Sequence, residues 1–177
     1  MKVNFDYIDV TALIGVFHMG VAQELDNSIG CYYEGHNDRV AYVYSNGRAI
    51  IRAMTVLAKQ LCISRMTSGF AIRLTEGESA YCISFLFTTA KESPEYGSCD
   101  VLSHAPSLEM SQNALEYAIN TAKDSGFEIC LTRKGTLGSF DFIFGKTDRL
   151  IPLDASVAHA KDFEYVSEEF FGVIDAF

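Results

Sequence analysis

Residues 43–62, VYSNGRAIIRAMTVLAKQLC, limit the fold more than any other stretch. After the polar start at Asn46, Ile50, Ile51, Met54, Leu57, Ala58 and Leu61 recur at the spacing of a single helix face. Such a face needs a second apolar layer to cover it. Residues 80–88 supply one: Tyr81, Ile83, Phe85 and Phe87 alternate with Cys82, Ser84 and Leu86. With both sides largely apolar, this strand is expected near the centre of a sheet.

The rest of the chain is read around these two elements. Short strands are expected at 3–7, 31–33 and 40–44. Asp9 or Thr11 caps a helix carrying Leu13, Ile14, Phe17, Val21 and Leu25. The helix at 47–61 leads to strands at 70–74 and 80–88, joined across Glu76-Gly77-Glu78. Residues 89–107, with serines, a glycine and two prolines, are expected to be a long linker-like loop. A helix from about 108 to 123 stops at Asp124-Ser125-Gly126, a glycine C-cap. A hairpin of 127–133 and 139–144 turns around Lys134-Gly135-Thr136-Leu137-Gly138, with Phe140, Phe142 and Phe144 on one face. This order predicts an α+β protein, a two-layer sandwich with helices packed on one face of a mixed β-sheet. The expected division is a domain at 1–150 and an acidic, aromatic C-terminal tail at 151–177.

The 177 residues carry 14 basic and 23 acidic side chains, a net charge of −9. That balance argues against nonspecific nucleic-acid binding and against an anionic membrane surface. The start, MKVNFDYIDV, lacks the apolar core of a signal peptide, and no apolar run reaches the ~20 residues of a membrane span. The expected location is cytoplasmic. The five cysteines, Cys31, Cys62, Cys82, Cys99 and Cys130, are odd in number and widely spread, and all five are expected to be reduced thiols.

Residues 43–62 are similar to the ATP-binding helix of sensor histidine kinases, in which an Arg precedes two asparagines four positions apart. Arg48 matches that Arg. Thr55 stands at the first Asn position and Lys59 at the second, magnesium-binding one. FDYIDVTALIGVFHMGVAQELDNSIGCYY comes before this helix, and ALEYAINTAKDSGFEICLTRKGTLGSFDFIF follows in the place of the family's last helix and closing hairpin. From 3 to 144 the chain therefore resembles the histidine-kinase-like ATPase domain (GHKL, Bergerat fold), a fold shared with gyrase-type ATPases. The family's Asp after the central strand accepts a proton from the adenine amino group, and here that position is Phe87, within Ile83 to Thr89. The family's Gly-x-Gly turn cradles phosphates, and its register falls on Gln112-Asn113-Ala114.

Arg48, Thr55, Lys59, Phe87, Thr89, Gln112 and Ala114 are thus degenerate nucleotide-pocket positions. The resemblance implies a regulatory or scaffolding module of a two-component signalling system. As a pseudo-enzyme it would have no catalytic residue, no metal and no cofactor. The alternative is a divergent nucleotide-binding phosphotransfer enzyme using ATP and magnesium. Lys59 would then meet phosphate directly, and the 89–107 loop would close as a lid. A third reading is an unrelated α+β domain binding a small apolar ligand.

Other candidates have plainer readings. His18 is expected to be a partly buried helix residue rather than a phosphoacceptor. Cys99, Asp100 and His104 offer metal ligands within six residues, but without the paired spacing of zinc sites; a solvated loop is expected. His36 falls in a turn and His159 in the tail. Lys134 to Gly138 lacks the order of a phosphate loop and is expected to be a turn. Within the 163–177 tail, residues from about 167 pattern as an amphipathic, acidic, aromatic helix. It either folds back on its own domain or docks to a signalling protein or a second copy of the chain.

Overall fold

A computed structural model describes residues 5–24, 30–34, 40–64 and 66–147. Strand β1 (Asp6–Asp9) runs into helix α1 (Val10–Glu24), which Asp9 caps by accepting from the amides of Thr11 and Ala12 at 3.0 and 3.2 Å. Strands β2 (Gly30–Glu34) and β3 (Tyr42–Ser45) follow, then helix α2 (Gly47–Ile63). Its cap is Asn46, whose side chain accepts from the Ala49 amide at 3.2 Å. Beyond β4 (Gly69–Glu76) and β5 (Ala80–Ser98) lie a short helix α3 (Val101–His104) and a 3-10 turn, Ala105–Leu108. Helix α4 (Gln112–Asp124) and strand β6 (Glu128–Gly145) complete the described fold.

Four strands form one sheet in the order β2-β4-β5-β6, with β2 parallel to β4 and the other pairs antiparallel; β1 and β3 form a separate antiparallel pair. The expected α+β sandwich on a mixed sheet is therefore what the chain forms. Val10, Leu13, Ile14 and Phe17 of α1 are buried, as are Ile50, Ile51, Met54 and Leu57 of α2 and Leu115 and Ala118 of α4. They meet Phe70, Ile72, Ile83, Phe85, Phe140, Phe142 and Phe144 of the sheet in one core. Phe85 is at its centre, with ring centroids 5.0 Å from Phe70, 5.1 Å from Phe142 and 6.1 Å from Phe17. The glycine stop of α4 also forms: Gly126 has φ +77°, its amide donates to Lys123 O, and the Phe127 amide donates to Ala122 O. That is the paired bonding of a Schellman cap.

Three expectations are corrected. Residues 89–98 are not a loop but the second half of β5, paired with β6 through Ser93↔Gly135, Tyr96↔Arg133, Gly97↔Thr132 and Ser98↔Leu131. The last helix consequently starts at Gln112, after the 3-10 turn. Residues 134–138 are likewise no hairpin turn, because β6 runs unbroken through them and Gly138 pairs with Phe87. Buried side chains on β6 switch from odd positions (Ile129, Leu131, Arg133) to even ones (Phe140, Phe142, Phe144). Gly135, at φ +58°, lies between the two sets in the left-handed conformation typical of a bulge. Finally, Cys99 and Cys130 are joined in a disulfide across the end of this ribbon, so the five cysteines are not all reduced.

The other three cysteines are free thiols. Burial, then the neighbouring Cys62, push the Cys31 thiol up to about 12. Burial pushes Cys62 up to about 11 and raises Cys82 as well. These thiols stay protonated at neutral pH, which makes them poor nucleophiles. Residues 148–177, including the tail expected either to fold back on the domain or to dock to a partner, lie outside the described residues, as does His36.

Candidate functional site

The seven pocket positions sit on α2, β5 and α4. Arg48 is exposed in the first turn of α2. Thr55 and Lys59, four residues apart, lie along one side of that helix, but their surroundings differ. Thr55 is 1% exposed, and its hydroxyl has no hydrogen-bond partner. Lys59 is half-buried and makes no ion pair with a described residue. A buried hydroxyl without a partner costs about 1–3 kcal/mol relative to water. Thr55→Val, which keeps the shape and removes the hydroxyl, is therefore expected to stabilise the fold by about 1 kcal/mol in urea unfolding. A destabilised variant would mean that the hydroxyl is satisfied by a bound water or ligand.

Phe87 occupies the inner face of β5. It is 3% exposed, and its ring lies 5.6 Å from that of Phe140. An apolar ring fills the position where the family's carboxylate faces the base. Gly138 lies opposite in the register, and a Cβ there would fall 2.5 Å from the Phe87 ring and 2.9 Å from Cδ of Arg133. Phe87 thus lies over the backbone of β6 because residue 138 has no side chain.

Thr89, two residues on, is also buried. Its hydroxyl donates to the Lys91 carbonyl at 2.8 Å and accepts from Nη2 of Arg133 at 2.8 Å. The register slips between Thr88↔Leu137 and Ser93↔Gly135, leaving residues 89–92 bulged against Thr136. Thr89 and Arg133 brace this bulge. A lid made of 89–98 would have to break the ladder to β6 in order to move.

At the start of α4 two backbone amides, those of Ser111 and Ala114, are held by side chains. Ser111 is the N-cap, its side chain accepting from the Ala114 amide at 3.4 Å. The Ser111 amide donates in turn to Oε1 of Gln60 at 2.8 Å, and the Leu115 amide donates to the Ser111 carbonyl. Ala114 is fully buried, while Gln112 is exposed and donates to Glu116 at 3.0 Å along the helix surface. Gln60, 3% exposed on α2, is the residue that the sequence reading missed. Its only sequence signal is a polar residue next to Leu61 on an apolar helix face. The family's cofactor needs a base acceptor, a metal ligand and open amides. The positions that the sequence resemblance assigns to these roles hold a buried ring, a half-buried lysine and a helix start capped by Ser111.

The remaining candidates resolve simply. His18 Nε2 lies 3.1 Å from the Cys31 carbonyl, and the half-buried ring faces Tyr33, so it is a structural helix residue. His104 stacks on Tyr96 at 4.2 Å, in a helical turn rather than a solvated loop. Among the described residues, the one cluster of three potential metal ligands is Cys99, Glu128 and Cys130, and its two sulfurs are bonded to each other.

No protein-family model matches the sequence, and no curated protein matches it. Solved structures do match by fold. The histidine kinase AdeS of Acinetobacter baumannii superposes with a TM-score of 0.57 at 13% identity, over 84% of this chain and 70% of that one. The catalytic domain of histidine kinase ThkA gives 0.60 at 14% identity, over 81% and 97%. In the ThkA complex with response regulator protein TrrA the values are 0.58 and 16%, over 82% of this chain and 43% of that one. The ATP-binding domain of PrrB from Mycobacterium tuberculosis gives 0.58 at 9% identity, over 81% and 98%. This excludes an unrelated α+β fold. The chain has the fold of a histidine-kinase-like ATPase domain.

Proposed function

We propose that this domain is a regulatory or scaffolding module of signal transduction that has lost nucleotide binding and works through protein contacts in the cytoplasm. The observation that carries the reading is the start of α4, where the Ser111 side chain takes the Ala114 amide and Gln60 takes the Ser111 amide, two of the donors near the expected phosphate turn. The buried Phe87 ring at the base-binding position supports it. The ThkA–TrrA complex supports a signalling protein as partner. Self-association is the other route, and residues 163–177 are the segment we assign to either contact. The acidic surface disfavours nucleic acid and anionic membranes as partners. Among the described residues, no helix is long and apolar enough to cross a membrane.

The test is thermal unfolding with ATP or ADP and magnesium at millimolar concentration, and the expected result is no shift. A nucleotide present at 100 times its dissociation constant would add about 2.7 kcal/mol. Such a gain would favour the second reading, a divergent nucleotide-binding phosphotransfer enzyme. One observation supports that reading: Lys59 makes no ion pair with a described residue, which leaves its ammonium available to a phosphate.

A further inference from the structure

Arg133 is 3% exposed on β6, and no counter-charge among the described residues pairs with it. Nη2 donates to Thr89 Oγ1 at 2.8 Å and to the Lys91 carbonyl at 3.3 Å, both neutral acceptors. Nε is buried with no partner, and no carboxylate of a described residue forms an ion pair with the guanidinium. A guanidinium keeps its charge in proteins, and a buried charge is normally paired. Beside it lies a pocket of 160 Å³, lined also by Met66, Thr89, Lys91, Ser107 and Glu109. At ~30 Å³ of liquid volume per water, the pocket has room for one tetrahedral oxyanion. Ligand pockets usually measure about 300–1,000 Å³, so it is too small for a nucleotide.

We propose that this pocket, built by the β5 bulge and the 3-10 turn, binds a single oxyanion group, a phosphate or a carboxylate. Arg133 supplies the buried charge and Lys91 the second cation at the rim. Lys91 is occupied by Glu109 at 3.0 Å, an exposed pair. The anion takes over Lys91 and releases the Glu109 carboxylate. Glu109 is held with φ +54°, the left-handed conformation that a non-glycine residue rarely adopts. The proposal does not rest on the signalling role, since a phosphate-sized site is compatible with either reading of the nucleotide positions.

The experiment titrates the full chain with sodium phosphate, sulfate and acetate at constant ionic strength. It follows the melting temperature and the amide resonances of residues 89–92 and 133. A saturable response to phosphate, absent with chloride, is expected. A response to acetate alone would assign the site to carboxylate groups. Lys91 is exposed, so Lys91→Ala leaves the fold intact and should weaken binding about tenfold, the loss of one charge-assisted bond. Glu109→Gln should tighten binding, because the competing carboxylate is gone. Arg133→Gln should abolish it, and the other two variants keep the test valid if this one fails to fold. No saturable response to any of the three anions, or equal responses in wild type and Lys91→Ala, would overturn the proposal. Responses to ATP in the same titration report on the nucleotide reading separately.

Discussion

Phe87→Asp is expected to destabilise the domain by at least about 4 kcal/mol without creating an ATP site. The substitution introduces the carboxylate that the sequence resemblance assigns to this position. In this chain, however, the side chain points into a closed apolar layer, 3% exposed and in ring contact with Phe140. Losing a buried phenyl ring costs about 3–5 kcal/mol by itself. A carboxylate left there without a donor either adds a desolvation penalty or takes up a proton. Urea unfolding of the variant, with and without ATP and magnesium, checks both halves. A stable variant that binds ATP would show that the pocket is intact apart from one residue, and the pseudo-enzyme reading would fail.

Gly138→Ala is expected to cost about 2 kcal/mol, the usual penalty for overpacking a tight core. The new methyl would sit 2.5 and 2.6 Å from two carbons of the Phe87 ring, closer than van der Waals contact allows. The ring cannot swing away freely, since Phe140 backs it, and the methyl would also meet Cδ of Arg133 at 2.9 Å. The cause is identifiable by a double-mutant cycle. In a Phe87→Ala background the Gly138→Ala penalty should largely vanish, giving a coupling comparable to the single-mutant cost. Additive losses would locate the strain in the backbone of β6 instead.

These two residues also show where the sequence was legible. Helix caps, apolar helix faces and the all-apolar strand at 80–88 were readable because each is a local pattern set by neighbouring residues. Asp9, Asn46 and Gly126 all act where their residue types suggest. The ribbon formed by the far halves of β5 and β6 was not readable. Residues 88–98 are mostly polar and exposed, so no two-residue alternation marks them, and Pro94 argues against a strand. Pro94 is tolerated because it falls between Ser93 and Tyr96, where the register slips. Gly135 and Gly138 imitate a hairpin turn, yet one sits at a bulge and the other makes room for a ring.

At the candidate site the resemblance named positions from the sequence, but their surroundings could not be read there. Thr55 and Ala114 are identifiable as substitutions, whereas the capture of the Ser111 amide by Gln60 joins residues 51 positions apart. The pairing of Cys99 with Cys130 is hidden for the same reason, since partners 31 residues apart leave no spacing signature. Arg133 looks like any strand-end cation until its missing counter-ion is visible.

The long β5–β6 ladder also suggests an order of assembly. Its pairs are nested, with Ser98↔Leu131 closest along the chain and Ala80↔Gly145 farthest. Closing the shortest loop loses the least chain entropy, and contacts between distant residues form slowly unless nearer ones precede them. The ribbon should therefore zip from its outer end inward, with α4 enclosed first. The aromatic rows of Phe85 and Phe140 then come into register last, on a template already set by its most polar and least core-like segment.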